Sequence, residues 1–186
     1  MIPIKNRKNL ESLIEEVKKL AYIYLDKYTP SKQQLKTYLL KKMITKPGQK
    51  KNTEQLINLI DIIISDLENK KFLSDKFYSE SKAKSFLRKG YSLNKIRYTL
   101  MKKGIEQKYI KSSISKIKNE EIDPDFFSAL KLCKKRRIGA IRDEANRSLF
   151  YKKDMGILAR SGFNFEMSKK ILDLSKEEFL KLSKLI

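Results

Sequence analysis

The sequence predicts an all-α protein, and three observations carry that prediction. Apolar residues recur at the three- and four-residue steps of a one-faced helix in nearly every segment. The breaks between segments hold capping pairs, prolines or glycines. No stretch shows the two-residue alternation of a strand.

The first helix is marked by Leu10, Leu13, Ile14, Val17, Leu20, Ala21, Tyr24 and Tyr28. Thr29–Pro30 stops it, because proline disfavours helical geometry at the residue before it. Ser31 and Gln34 make a capping-box pair for the second helix, which carries Leu35, Tyr38 and Leu39. The Pro-Gly stretch 45–53 reads as a linker. Leu56, Leu59, Ile60, Ile63, Ile64 and Leu67 then mark the most apolar helix of the chain. Ser74 or Asp75 can cap the next, which runs through Leu87 to a left-handed stop at Gly90. Leu93, Ile96, Leu100 and Met101 form another stripe, ended by Gly104. Tyr109 or Ile110, Ile114 and Ile117 follow. Beyond a weaker break at "NEEIDPDF", helical stretches are expected near 125–137, 140–152, 154–161 and 164–174. A second capping box, Ser175 with Glu178, opens a last helix with Phe179, Leu182 and Leu185.

The helices repeat. Leu35 and Leu39 match Ile96 and Leu100 at an offset of 61 residues, and Lys41–Lys42 fall on Lys102–Lys103. A third copy matches Leu158, Gly162 and Phe163 to Leu100, Gly104 and Ile105 at an offset of 58. The first copy has Met43 where the others have glycine. Units of about 50 residues bury little surface alone and lean on their neighbours. The expected organisation is an N-terminal helix with a first three-helix repeat (1–72), a second repeat (73–122), and a third repeat with a C-terminal helix (123–186). A curved or elongated row follows, rather than a globe.

Composition narrows the function. Hydrophobic residues make up 40% of 186, enough for a core. The net charge of +21 draws such a chain toward phosphate backbones, acidic proteins or anionic membranes. No apolar run is long enough to span a membrane, and the N-terminus lacks a secretory h-region, so a cytoplasmic protein is expected. With no histidine and one cysteine, the commonest general base and the usual zinc ligands are missing. Cys133 lies one turn from Leu130 on an apolar face and reads as buried filler. "KPGQKKNT" lacks the spacing of a phosphate-wrapping loop. Asp75, Glu80, Asp123, Asp125, Asp143 and Glu144 read as helix caps, first-turn charges or partners of lysines. No enzyme, metal or cofactor is expected.

The positive charge is uneven: residues 131–160 hold ten basic side chains against three acidic. Arginines gather at 88, 97, 136, 137, 142, 147 and 160, and their planar forks suit phosphate and carboxylate. Tyr91, Tyr98, Phe150 and Tyr151 are interleaved with them, able to stack on bases or to pack in the core. "KKRR" (134–137) has the look of a nuclear signal, but nothing else supports a nucleus. Charge alone gives a binder of nucleic acid or nucleoprotein without sequence specificity.

The segment "FLSDKFYSESKAKSFLRKGYSLNKIRYTLMKKGI" resembles the RecX family, bacterial regulators of the RecA recombinase. Leu73, Asp75 and Phe77 carry the likeness, followed by Arg88, Gly90 and Tyr91, then Ile96–Arg97, Leu100 and Lys103–Gly104–Ile105. "LARSGFNFEMSKKIL" resembles the family's C-terminal segment through Leu158, Arg160, Gly162 and Phe163. Ser31, Gln34 and Leu35 fit its first repeat. The resemblance covers about residues 15–174. It implies tandem three-helix repeats in an elongated, curved right-handed array that docks in the groove of a RecA–single-stranded DNA filament. There it would block filament growth, ATP hydrolysis and strand exchange in DNA repair, the SOS response and homologous recombination. RecA and single- and double-stranded DNA are the expected partners of a monomeric chain. The expected contact residues are Arg88, Arg97, Lys102, Lys103, Arg136, Arg137, Arg142 and Arg160. The competing readings are a stand-alone DNA- or RNA-binding helical protein and a structural adaptor whose charge keeps it soluble.

Overall fold

The computed structural model describes residues 4–45 and 53–185. The expected linker at 45–53 therefore lies, apart from its two ends, outside the described residues. Among the described residues there are ten α-helices, two single 3₁₀ turns and no strand. The all-α class is as the periodicity requires.

The chain folds as two compact units. The first comprises the helices up to Tyr78 together with the turn Lys103–Ile105, and the second takes Ser79–Lys102 and Glu106 onward.

In the first unit, α1 (Ile4–Lys27), α2 (Lys32–Ile44) and α3 (Thr53–Asn69) pack on one another. Their shared core holds Val17, Ala21, Leu35, Leu39, Met43, Leu56, Ile60, Ile63 and Leu67. Tyr24 of α1 stacks on Tyr38 of α2 with ring centroids 4.1 Å apart. The α2 start is the expected capping box: Ser31 Oγ accepts from the Gln34 N–H, and the Ser31 N–H donates to Gln34 Oε1. Met43, at the position where the other copies have glycine, is fully buried, and α2 runs on through it.

α4 (Asp75–Arg88) is capped by Ser74, whose hydroxyl accepts the Phe77 N–H. α5 (Leu93–Lys102) and α6 (Gln107–Glu120) follow. Their inward residues are Ala83, Leu87, Leu93, Ile96, Leu100, Ile110, Ile114 and Ile117. Met101 is not one of them; it stands on the open side of α5. The remainder of the second unit is α7 (Pro124–Arg136), a 3₁₀ turn (Gly139–Ile141), α8 (Glu144–Arg160), α9 (Phe165–Leu172), α10 (Lys176–Leu182) and a closing 3₁₀ turn. Phe126, Leu130, Cys133, Ile138, Leu158, Ile171 and Phe179 meet in its core.

Two expectations are corrected here. The stretches 140–152 and 154–161 are one helix, α8, preceded by the 3₁₀ turn. Asp154 does not start a new helix, because its carboxylate is taken by Arg142 and by the Gly139 N–H. Leu185 is exposed, since the chain leaves the helical period after Leu182.

One arrangement occurs twice. At the α2 start, the Lys32 N–H donates to Asp75 Oδ1 at 2.9 Å, and Ser31 Oγ donates to the Lys103 carbonyl at 3.0 Å. At the α5 start, the Leu93 N–H donates to Asp125 Oδ1 at 2.7 Å, and the Ser92 N–H donates to the Ser161 carbonyl at 3.0 Å. Ser92 follows Ser31 by 61 residues and Ser161 follows Lys103 by 58, the offsets of the sequence repeat. Each helix start thus meets an aspartate from one later helix and a glycine turn between two others. Gly104 (φ 75) and Gly162 (φ 90) form those turns in the left-handed region. A Cβ on Gly104 would lie 2.6 Å from Gln33 Cβ, and one on Gly162 would lie 2.7 Å from Lys95 Cβ. Both the dihedral and the close approach demand glycine.

Gly162→Ala is therefore expected to destabilise the protein by about 2 kcal/mol or more, from backbone strain plus the collision with α5. Urea unfolding of the variant beside Gly156→Ala checks this, because Gly156 sits inside α8 without a positive φ.

Candidate functional site

The basic side chains are sorted by what lies behind them. On α5, Leu93, Ile96 and Leu100 face the core, which leaves Asn94, Arg97, Tyr98, Met101 and Lys102 as the outward stripe. The steps 94, 97, 98, 101 and 102 are those of one helical face. The helix contains no acidic residue. Arg97 Nη1 donates to Asn94 Oδ1 at 3.0 Å, and the Lys102 ammonium sits 4.6 Å from the Tyr98 ring centroid.

A second concentration ends α7. Lys134, Lys135 and Arg136 occupy its last turn, where the partial negative charge of the helix terminus favours cations. Lys134 is anchored by donating to the Ser183 carbonyl at 3.1 Å. Arg136 and Arg137 are exposed. Arg137 terminates the helix in the left-handed conformation, φ 53, at a place where glycine is the common choice.

Arg142 has a different role. Its guanidinium grips Asp154 with two bonds of 2.7 Å and lies 4.6 Å from the Phe150 ring centroid. Asp154 is 1% exposed and also accepts the Gly139 N–H at 3.0 Å. Burial pushes this carboxyl up, but the Arg142 fork, the Gly139 N–H and the nearby cations outweigh it and hold the group below its ordinary range. Arg147, also directed inward, donates to the Leu172 and Leu174 carbonyls and so closes the C-terminal end of α9.

Of the remaining expected residues, Arg88 is exposed in the last turn of α4, and Arg160 is exposed in the last turn of α8. Lys103 belongs to the first unit, and its carbonyl accepts the Ser31 hydroxyl. The structure thus joins Arg97 to Lys102 on one face and Arg136 to Arg137 at one helix end, while Arg142 is committed to Asp154. Five of the six carboxylates singled out in the sequence have a partner, while Asp143 stands at the N-cap position of α8 without a side-chain capping bond. Asp75 and Asp125 cap other helices, Asp123 caps its own, Glu80 pairs with Lys116, and Glu144 lies 3.6 Å from Arg147. Of the interleaved aromatics, Tyr91 stacks on Phe86 and Tyr151 donates to Asp173, leaving Tyr98 as the ring most plainly turned outward. Asn94, which orients Arg97, was missed, although the spacing 94/97/98/101/102 was visible.

Cys133 is fully buried, and desolvation pushes its thiol up to about 12. In a cleft of about 290 Å³, Tyr151 donates to Asp173, Arg147 to the Leu172 and Leu174 carbonyls, and Asp154 accepts from Arg142. Among the described residues, no acidic or cysteine cluster could hold a metal, and no helix is long and apolar enough to cross a membrane.

Among known proteins, the chain is 27% identical over 154 residues to "Regulatory protein RecX" of Myxococcus xanthus (strain DK1622). That span covers 81% of this chain and 80% of the relative. No family model matches the chain. No solved structure matches it either.

Two outcomes follow from this geometry. Asp154→Ala strands the Arg142 guanidinium and should lower stability by about 2 kcal/mol at pH 7. Because the folded-state carboxyl is depressed, that contribution is complete above the ordinary carboxylate range and disappears as pH falls through the folded-state value. Urea unfolding at pH 7 and in acid should show the gap between wild type and variant closing. Arg137→Gly should raise stability by about 1 kcal/mol by relieving the left-handed backbone, while weakening salt-sensitive binding to anionic partners. Thermal melts and binding titrations on one preparation test both halves.

Proposed function

The resemblance to the RecX family runs over most of this chain, and on that premise we propose that the protein is a negative regulator of the RecA recombinase. In this reading it docks in the groove of the RecA filament on single-stranded DNA. It touches successive protomers and the strand, and restrains filament growth, ATP hydrolysis and strand exchange in DNA repair. The observation that carries the reading is the 154-residue similarity to a RecX regulatory protein.

The physics supports it. A net charge of +21 speeds encounter with an acidic nucleoprotein groove. The two equivalent helix-start arrangements, spaced like the sequence repeat, favour a chain of three tandem three-helix repeats, 1–72, 73–122 and 123–186. Repeated modules let modest contacts sum through effective concentration. The contact surface we assign is Arg88, Arg97, Lys102, Lys103, Arg136, Arg137 and Arg160. Arg142 serves it by fixing the loop after α7 rather than as a free charge. A cytoplasmic monomer fits this role.

A second reading, a stand-alone DNA- or RNA-binding protein, is favoured by one observation: the acid-free, basic and aromatic face of α5. The RecA ATPase on single-stranded DNA separates the two when this protein is added well below one copy per protomer. Inhibition at that ratio is the expected result. Unchanged ATPase together with tight, salt-sensitive binding to naked DNA would leave the second reading.

A further inference from the structure

The outward face of α5 combines three properties that ordinary solvated helix faces do not share. First, the charge of its own residues has one sign: Arg97 and Lys102 stand on a helix without a single carboxylate, and the acidic group near Arg97 is Asp125 of α7, already bonded to the Leu93 N–H. Second, it leaves valuable contact area open. Tyr98 is 47% exposed and Met101 55%, although the opposite side of the same helix is closed, with Ile96 and Leu100 at 0%. Looseness of the helix therefore does not explain the open ring. Third, the order around the helix axis is specific. At 3.6 residues per turn, the stripe spans roughly 140°, with Arg97 at one edge and Lys102 at the other, and Met101, Asn94 and Tyr98 between them. Arg97 is held in place by Asn94 Oδ1, while the Lys102 ammonium rests over the Tyr98 ring.

We infer that this face is a stacking platform for single-stranded nucleic acid: one base takes the Tyr98 ring beside Met101, displacing the Lys102 ammonium from it, and the flanking phosphates lie on Arg97 and Lys102. A flat π-face accepts any base, and two cations bordering it neutralise the backbone on both sides. A duplex fits poorly, because the faces of its bases are already covered by their neighbours. The inference deepens the proposed function, since it names the groups that would meet the strand within a nucleoprotein partner. It does not require that partner to be RecA.

The test uses the full-length protein and three fluorescent probes of equal length: a single strand, an abasic single strand with the same phosphates, and a duplex. Anisotropy titrations should show wild type preferring the base-bearing strand. Tyr98→Ala should weaken that complex about tenfold, by the scale of aromatic stacking, and leave the abasic complex unchanged. Tyr98→Phe should bind like wild type, which also controls for folding. Arg97→Gln combined with Lys102→Gln should weaken both single-stranded complexes and flatten their salt dependence. Equal losses for Tyr98→Ala on both strands, or no loss on either, overturn the inference. So does a wild type that binds no naked strand; in that case inhibition of the RecA ATPase would still uphold the regulator reading, so the two fail separately.

Discussion

An α-helix that starts in the interior of a protein presents backbone N–H groups that water cannot reach, and each must find an acceptor. Twice in this chain the acceptor is an aspartate far away in sequence, Asp75 for α2 and Asp125 for α5. Asp75 is itself buried, so carboxylate and helix start satisfy each other. Burial pushes the Asp125 carboxyl up, even though the Leu93 N–H bond pulls the other way. The glycine turns complete the arrangement by letting backbone approach backbone where a side chain would collide. These contacts set the rotation of α2 and α5, and the rotation decides which side of each helix is left to the solvent. The outward stripe of α5 follows from that start together with the burial of Leu93, Ile96 and Leu100.

Basic side chains outnumber acidic ones 43 to 22, and some of the carboxylates work inside the fold. Asp75, Asp123, Asp125 and Asp154 spend their oxygens on backbone N–H groups or on one inward arginine. Glu178 is likewise engaged by the Ser175 N–H in the capping box of α10. Others pair with lysines on the helix exteriors, as Glu68 with Lys32, Asp61 with Lys36 and Glu120 with Lys84. Arginine divides along the same line. Arg142 and Arg147 act as multidentate braces, while Arg97, Arg136 and Arg137 face outward, the last at a conformational cost.

Much of the fold was legible because helical period and capping chemistry are local. The Ser31 and Ser175 capping boxes, the Pro30 stop and the glycine stops could all be read from a few neighbouring residues. The continuity of α8 was not legible: whether Asp154 caps a helix or sits inside one depends on an arginine twelve residues earlier folding back to meet it. The same holds for Asp75, which suits the start of its own helix yet serves another. For the candidate site, the basic residues were visible as composition. Their sorting into braces and open charges was not, because that depends on tertiary partners. Tyr98 and Met101 show the converse, since an apolar residue at a helical step need not face the core.

The burial of Cys133 makes the chain its own reporter. It is the sole thiol, it sits among Leu130, Ile138 and Phe179, and its ionisation is suppressed far beyond neutral pH. An alkylating reagent can reach it only when the packing of α7 against its neighbours lets go. The speed of that labelling is thus a clock for transient opening of the last core, and it needs no engineered probe. Any partner that clamps those helices together would slow the clock, and would thereby disclose where on the molecule it holds.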